Sequence, residues 1–274
     1  MSNFAQRVIT ALIGAPLVVG VTYLGGWYFG GLILLVGLLA QWEVYRLTEA
    51  GGVAPQKVLG LLVGACLMGR ALVPEAVPAA VVGLIVVLVA ELYRRGEDPV
   101  ANVTATVFGA FYPALLVGYI IDLRIRGGEA AMGQEGAFLL TVVVIVAIWA
   151  SDTFAYFAGR AFGKHPLFPR ISPKKTIEGS VGGVIGSVLI LVAFKLALVP
   201  SLPLVWADVA VIGVICGAVG QLGDLVESMF KRSVGVKDSG RYLPGHGGML
   251  DRIDAMIIAV PLVVIYLDWV RDLL

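Results

Sequence analysis

Residues 228–254 read SMFKRSVGVKDSGRYLPGHGGMLDRID, from Ser228 to Asp254. The stretch joins two strongly apolar segments, yet it carries Lys231, Arg232, Lys237, Arg241 and Arg252 beside Asp238, Asp251 and Asp254. It also holds His246, one of two histidines, in the turn Gly245-His246-Gly247-Gly248. A connection that only linked two membrane helices needs few charges and no such mixture. Cations, carboxylates and exposed backbone N–H groups side by side are what a phosphate-plus-divalent-metal site requires. The apolar runs on either side decide the fold class: helices that cross a bilayer and hold this loop between them.

The rest of the chain fits that reading. Of its 274 residues, 59% are hydrophobic and 14% charged, with mean hydropathy +0.93. Soluble domains carry about 25% charged residues, so a polytopic integral membrane protein is expected rather than a globular core. A bilayer core about 30 Å thick takes about 20 apolar residues per helix. On that ruler the fold is all-α with about nine transmembrane helices, near 8–25, 28–47, 57–73, 77–94, 101–121, 137–159, 180–199, 205–230 and 250–270. The third and fourth are short and separated only by Val73-Pro74-Glu75, so a hairpin that does not fully cross is the other reading. Spans one to five (within 1–135) form an amino-terminal scaffold. Spans six to nine (within 136–274), with loops 160–178 and 231–250, form the catalytic region. The first apolar segment follows Arg7 as a signal peptide would, but it lacks a small-x-small cleavage site and is read as retained. Cys66 and Cys216 sit in apolar stretches and are read as small buried hydrophobes, not a disulfide framework.

Orientation follows from the cations. The amino end and the loops after spans two, four, six and eight hold fifteen of the twenty Lys and Arg residues. The positive-inside rule puts them in the cytoplasm, loops 160–178 and 231–252 included, and an odd number of spans then puts the carboxyl end outside. A net charge of +1 says nothing for or against nucleic acid. Within the scaffold, Glu43 and Arg46 are read as a pair marking a span end. Glu91, Arg94, Arg95, Glu97 and Asp98 are read as a solvated turn.

Three further patterns carry chemistry. In span six, Asp152, Tyr156 and Arg160 share one helical face. An acid there is costly and turns toward the protein interior or a watery cavity, although an ion pair with Arg160 or with a neighbouring helix would also account for it. The next loop, GKHPLFPRISPKKTIEGS, is kept from being a helix by Pro166, Pro169 and Pro173. Attraction to anionic headgroups would explain its Lys164 and Arg170. It explains Ser172-Pro173-Lys174-Lys175-Thr176 less well, because that run is a stiffened turn feeding a helix start capped by Thr176, where phosphate oxygens bind readily.

The third pattern is acidic. Asp224, Glu227, Ser228 and Lys231 follow one another at i, i+3, i+4 and i+7 on span eight, and Asp251 and Asp254 share the first turn of span nine. The helix dipole alone would explain either carboxylate of that first turn. Two acidic faces at one side of the membrane instead supply oxygen ligands to one or two hard divalent cations. Lys231, Arg232, Lys237 and Arg252 can neutralise a polyphosphate, Gly247-Gly248 can bring N–H groups to it, and His246 can donate to a phosphate oxygen. No Ser-His-Asp order, zinc spacing, P-loop or dinucleotide-binding turn is visible. The chemistry indicated is metal-assisted phosphoryl or nucleotidyl transfer without a covalent enzyme intermediate.

Those residues resemble a known signature. Ser228-x-Phe230-Lys231-Arg232, then Lys237-Asp238-x-Gly240, then Leu243-Pro244-x-His246-Gly247-Gly248-Met249-x-Asp251-Arg252-Ile253-Asp254 is similar to the pattern of the phosphatidate cytidylyltransferase (CDP-diacylglycerol synthase) family. The Asp152 run and Ser172-Pro173-Lys174-Lys175-Thr176-x-Glu178-Gly179 are also similar, so the likeness covers the carboxyl half. It implies a membrane enzyme that condenses CTP with phosphatidic acid, among membrane lipids and without nucleic acid. It further implies a homodimer in the inner (plasma) membrane of the cell, its active site facing the cytoplasm. Asp224, Asp251 and Lys231 would be catalytic, with one or two Mg2+ ions on Asp224 and Asp251. Substrate would be met by Asp152, Ser172, Lys174, Lys175, Ser228, Arg232, Lys237, Asp238, His246, Gly247, Gly248, Arg252 and Asp254. An ion-coupled transporter lined by Asp152, Asp224 and Glu227, or another lipid-linked phosphotransferase, are the rival readings.

Overall fold

Gly25 and Gly26 hold φ of 63° and 47°, a left-handed geometry that separates helix α1 (Asn3–Leu24) from α2 (Gly26–Ala50). A computed structural model describes residues 3–94, 98–197, 202–240 and 247–274 of the chain. After α2 come α3 (Lys57–Gly69), α4 (Ala76–Glu91) and α5 (Pro99–Gly109). The last starts on an Asp98 side chain that accepts the Ala101 N–H, with proline at its first position. Pro113 cannot donate to the helical ladder, and a π turn at Ala110–Leu115 carries the helix past it into α6 (Leu116–Ile121). Helix α7 (Gly128–Phe162) is broken at Gly133, whose φ is 70°. A two-stranded antiparallel hairpin follows, β1 (Pro166–Phe168) and β2 (Ser172–Thr176), then α8 (Ile177–Ala197). Helix α9 (Trp206–Val214) runs through a π turn into α10 (Gly220–Ser233), and α11 (Leu250–Ile265) ends in another π turn, Tyr266–Val270.

The architecture is therefore all-α and polytopic. Among the described residues six helical stretches are long and apolar enough to cross a membrane: Gly26–Ala50, Pro99–Ile125, Met132–Phe162, Ile177–Ala197, Trp206–Ser233 and Leu250–Val270. Gly14–Leu24, Lys57–Gly69 and Ala76–Glu91 are apolar but shorter. All nine stretches expected as spans contain helix, while the loop expected to be irregular holds the hairpin.

The chain divides into two units, Met1–Asp122 with Phe230–Ile253, and Leu123–Met229 with Asp254–Leu274. The segment Phe230–Ile253, assigned by sequence to the carboxyl-terminal region, thus groups with the amino-terminal helices. In the first unit, Gln41 Nε2 donates to Tyr45 Oη at 2.8 Å and to the Gly60 carbonyl at 2.7 Å, and Tyr45 Oη donates to the Thr106 carbonyl at 2.8 Å. A Cβ at Gly60 or Gly109 would overlap the Tyr45 ring or hydroxyl, so both positions admit only glycine while Tyr45 stays there. In the turn read from sequence as solvated, Arg94 and Asp98 are exposed and Arg95 and Glu97 lie outside the described residues, but Glu91 departs from the reading. It is buried and accepts from Gln56 Nε2 (2.5 Å), Asn102 Nδ2 (3.0 Å) and Arg94 Nη1 (3.0 Å), donors that offset its desolvation.

In the second unit, small residues bring α7 and α8 together. A Cβ at Gly182 would collide with Ala158, and one at Gly186 with the Phe154 ring. Thr176 Oγ1 accepts the Gly179 N–H at 3.1 Å, the helix cap expected from sequence. Glu178 accepts the Lys164 and His165 N–H groups at 3.1 and 3.2 Å, and its Oε1 lies 2.6 Å from His165 Nδ1. The hairpin is thereby tied to the start of α8. Far along the chain, Asp208 is sealed from solvent between Tyr266 Oη (2.7 Å) and the Arg271 guanidinium (2.8 Å).

Candidate active site

The second unit holds a cavity of about 420 Å³ where α7, the hairpin, α8 and α10 meet. Asp152, Tyr156 and Arg160 line it from α7, as their shared face requires. Lys174, Lys175 and Thr176 line it from β2, Ser180 from α8, and Gln221 and Asp224 from α10. Four residues expected from sequence to belong to the site, Asp152, Lys174, Lys175 and Asp224, thus line one cavity. Lys175 Nζ lies 2.6 Å from Asp224 Oδ2, fixing a cation beside a carboxylate at the cavity's edge. Arg160 Nη1 donates to Tyr156 Oη at 3.4 Å. Ser172 begins β2, partly covered, at the turn of the hairpin.

Asp224 also belongs to an acidic group. Carboxylate oxygens of Asp224, Glu227 and Asp254 lie within 4.8 Å of one another. Glu227 is wholly buried, the other two half-buried. Glycine explains the closeness: a Cβ at Gly223 would stand 2.5 Å from the Asp254 carbonyl oxygen, so only glycine lets α10 and α11 approach this far. Ser228 Oγ donates to Asp224 Oδ1 at 3.3 Å. Three carboxylates so close repel one another, and Lys175, 2.6 Å from Asp224, offsets part of that charge. Their spacing and all-oxygen character suit a hard divalent cation.

In the first unit, Asp251 is the keystone of the loop. Lys231 Nζ lies 2.5 Å from its Oδ1, while its Oδ2 accepts the Gly248 N–H (2.7 Å), the Ser239 N–H (3.1 Å) and the Ser239 hydroxyl (3.0 Å). Gly247 has φ 78°, and Gly248 lets Ser239 come against the backbone. Arg232, Lys237, Asp238 and Arg252 are exposed. Arg232 donates to the Val236 carbonyl at 2.8 Å, and Lys237 and Asp238 line a hollow of about 520 Å³ with Arg46. His246 lies outside the described residues, as does Arg241.

Glu43, read from sequence as half of a pair marking a span end, has a different place in the structure. It is 0% exposed and lies about two turns inside α2 rather than marking its end. Its Oε2 accepts from the Ser239 hydroxyl (2.8 Å) and the Leu250 N–H (2.7 Å), and its Oε1 from the Met249 N–H (2.9 Å). It does not serve as the partner of Arg46 expected from their spacing, because these three donors surround it. The available signal was Gln41, Glu43 and Tyr45 together: three polar side chains inside an apolar span ask for internal partners.

Comparison with known proteins gives a consistent picture. Residues 5–270 match the cytidylyltransferase family. A phosphatidate cytidylyltransferase of Synechocystis sp. is 35% identical over 281 aligned residues, covering 94% of each chain. One of Bacillus subtilis is 32% identical over 272 residues, 95% of this chain and 96% of that one. One of Staphylococcus saprophyticus reaches 49% identity over 140 residues, 49% of this chain and 50% of the other.

Proposed function

The chain belongs to the cytidylyltransferase family, and on that footing we propose that it condenses CTP with phosphatidic acid, giving CDP-diacylglycerol and pyrophosphate. It is an integral membrane enzyme, a nucleotidyltransferase of phospholipid synthesis. The observation that carries the site assignment is the cavity in which Arg160, Lys174 and Lys175 meet Asp152 and Asp224. A phosphate oxygen of phosphatidic acid attacks the α-phosphorus of CTP. The bond from that phosphorus to the bridging oxygen breaks in line, and its electron pair leaves with pyrophosphate. Arg160 and Lys174, exposed at the rim, draw in phosphate oxygens. Lys175, held by Asp224, presents a cation whose position is fixed before substrate arrives. Arg232 and Lys237 on the exposed loop add charge that steers an anionic nucleotide.

Magnesium, when bound, neutralises phosphate oxygens and the leaving pyrophosphate. Asp224, Glu227 and Asp254 would hold it. Asp251, expected as a ligand beside Asp224, has both oxygens engaged by Lys231, Ser239 and Gly248. The inner membrane of the cell, a cytoplasmic site and a homodimer complete the reading. The bias of fifteen among twenty cations supports the orientation.

The test is pyrophosphate release by the purified protein from CTP, with and without phosphatidic acid and magnesium. Release needing all three is expected, with Asp224→Asn nearly inactive and its residual rate requiring more magnesium. Release without lipid would mean a nucleotide hydrolase, and no release from folded protein would overturn the reading. An equal rise in magnesium requirement in Asp251→Asn would return Asp251 to the ligand set.

A further inference from the structure

Glu43 stands outside every motif that marks the reaction, yet the most charged loop of the chain is built around it. Three donors from that loop converge on its carboxylate, the Ser239 hydroxyl and the Met249 and Leu250 N–H groups. Room for it is made by glycine on both sides. A Cβ at Gly240 would run into Glu43 Oε1, and one at Gly248 would run into Ser239 Oγ and Glu43 Oε2. A carboxylate sealed from solvent is costly unless its donors are fixed, so its presence fixes them in turn.

The carboxylate reaches the Lys231–Asp251 pair through one atom. Ser239 Oγ lies 2.8 Å from Glu43 Oε2 and 3.0 Å from Asp251 Oδ2. A hydroxyl carries one proton and donates one hydrogen bond at a time, so the two carboxylates share Ser239 as a common donor. Glu43 also holds the N–H groups of Met249 and Leu250, the two residues directly before Asp251. Its carboxylate therefore sets where the first turn of α11 begins and where Asp251 points.

We propose that Glu43 is a positioning residue for the cytidylyl transfer: from α2 it fixes Ser239 and the backbone at Met249–Leu250, and through them the Lys231–Asp251 pair. The proposal rests on the reaction assigned above.

The experiment compares the parent with Glu43→Gln, Glu43→Asp, Glu43→Ala, Gly240→Ala and the double variant Glu43→Ala/Gly240→Ala, each purified and shown monodisperse. Pyrophosphate release from CTP and phosphatidic acid gives kcat and KM. Hydrogen exchange reads the amides of Met249 and Leu250. Glu43→Gln keeps the size but presents an NH2 group to three donors. Its kcat is expected to fall on the order of 10²-fold, with faster exchange at both amides, because small misplacements of reacting groups have effects of that size. Glu43→Asp, which restores the charge, is expected to regain part of the rate. In the Glu43→Ala background the Gly240 Cβ meets only the Gly248 Cα, at 3.3 Å, so the double variant should be no slower than Glu43→Ala alone, and the two losses should not multiply. Folded Glu43→Gln with kcat and KM for both substrates within about threefold of the parent would overturn the proposal, as would losses that multiply. A folded parent that releases no pyrophosphate would instead overturn the assigned reaction and, with it, anything for Glu43 to position.

Discussion

Lys231 and Asp251 have side chains only 9% and 10% exposed and meet at 2.5 Å. Removing one member of such a pair takes from the other the opposite charge it meets here and costs about 3–5 kcal/mol, whereas replacing both is far milder. Lys231→Met is therefore expected to lower stability by about that amount in denaturant or thermal unfolding in detergent. Lys231→Met/Asp251→Leu should recover part of it, since the Ser239 and Gly248 N–H groups still lose their acceptor, and should stay inactive. A double variant less stable than the single one would show that Asp251 contributes mainly through its amide donors. Much of this was readable from sequence, because helical spacing puts Asp224, Glu227 and Lys231 on one face and the apolar flanks force that face inward. Glu43 was not readable as a clamp. Its donor Ser239 lies 196 residues away, and no local periodicity reports a partner at that distance.

Among the elements, the α7–α8 pair sets the shape of the cavity, and glycines set the pair. A Cβ at Gly182 meets the Cβ of Ala158, an atom that cannot move without its backbone. Overpacking of this kind typically costs about 1–3 kcal/mol. Gly182→Ala is expected to lower the unfolding midpoint and the rate of pyrophosphate release together, because both helices line the cavity. Gly31 in α2 has nothing within 4 Å of a would-be Cβ, so Gly31→Ala should leave both unchanged. Equal effects at the two positions would count against close packing as the cause. Helix extents were legible because apolar length alone sets them, within a few residues. The hairpin was not, since three prolines announce only that no helix forms. Strand pairing of Pro166 with Thr176 depends on ends held together by α7 and α8. The π turns were equally silent, Pro113 apart, because nothing else in the pattern of side chains marks an extra residue in a helical turn.

At the scale of the molecule, the short helices α3 and α4 decide how many times the chain crosses. Their 13 and 16 residues give only about 20 and 24 Å of helix, below the roughly 30 Å of a bilayer core. Their partners set both ends of the segment beside a longer helix, and on that ground we propose that it crosses. Just before α3, the Ala54 N–H donates to Asn102 near the start of α5, and just after it Arg70 pairs with Asp122 beyond α6. The chain from 54 to 70 therefore covers the same depth as residues 102–122 of a helix long enough to cross. Helix α4 returns to the starting level, where Glu91 meets Asn102 and Gln56. Single cysteines placed in a background lacking Cys66 and Cys216 test this with a membrane-impermeant maleimide on oriented vesicles. Lys164→Cys and Arg232→Cys are expected to react only from the cytoplasmic side, and Glu75→Cys and Trp269→Cys only from the outside. Glu75→Cys reacting from the cytoplasm would make α3 and α4 a hairpin that turns back, leaving the carboxyl end where it is because two crossings are lost together. Trp269→Cys reacting from the cytoplasm would require an even number of crossings. Lys164→Cys and Arg232→Cys reacting from opposite sides would separate the two basic loops by a bilayer, and the bias of fifteen among twenty cations would no longer describe one face of the membrane.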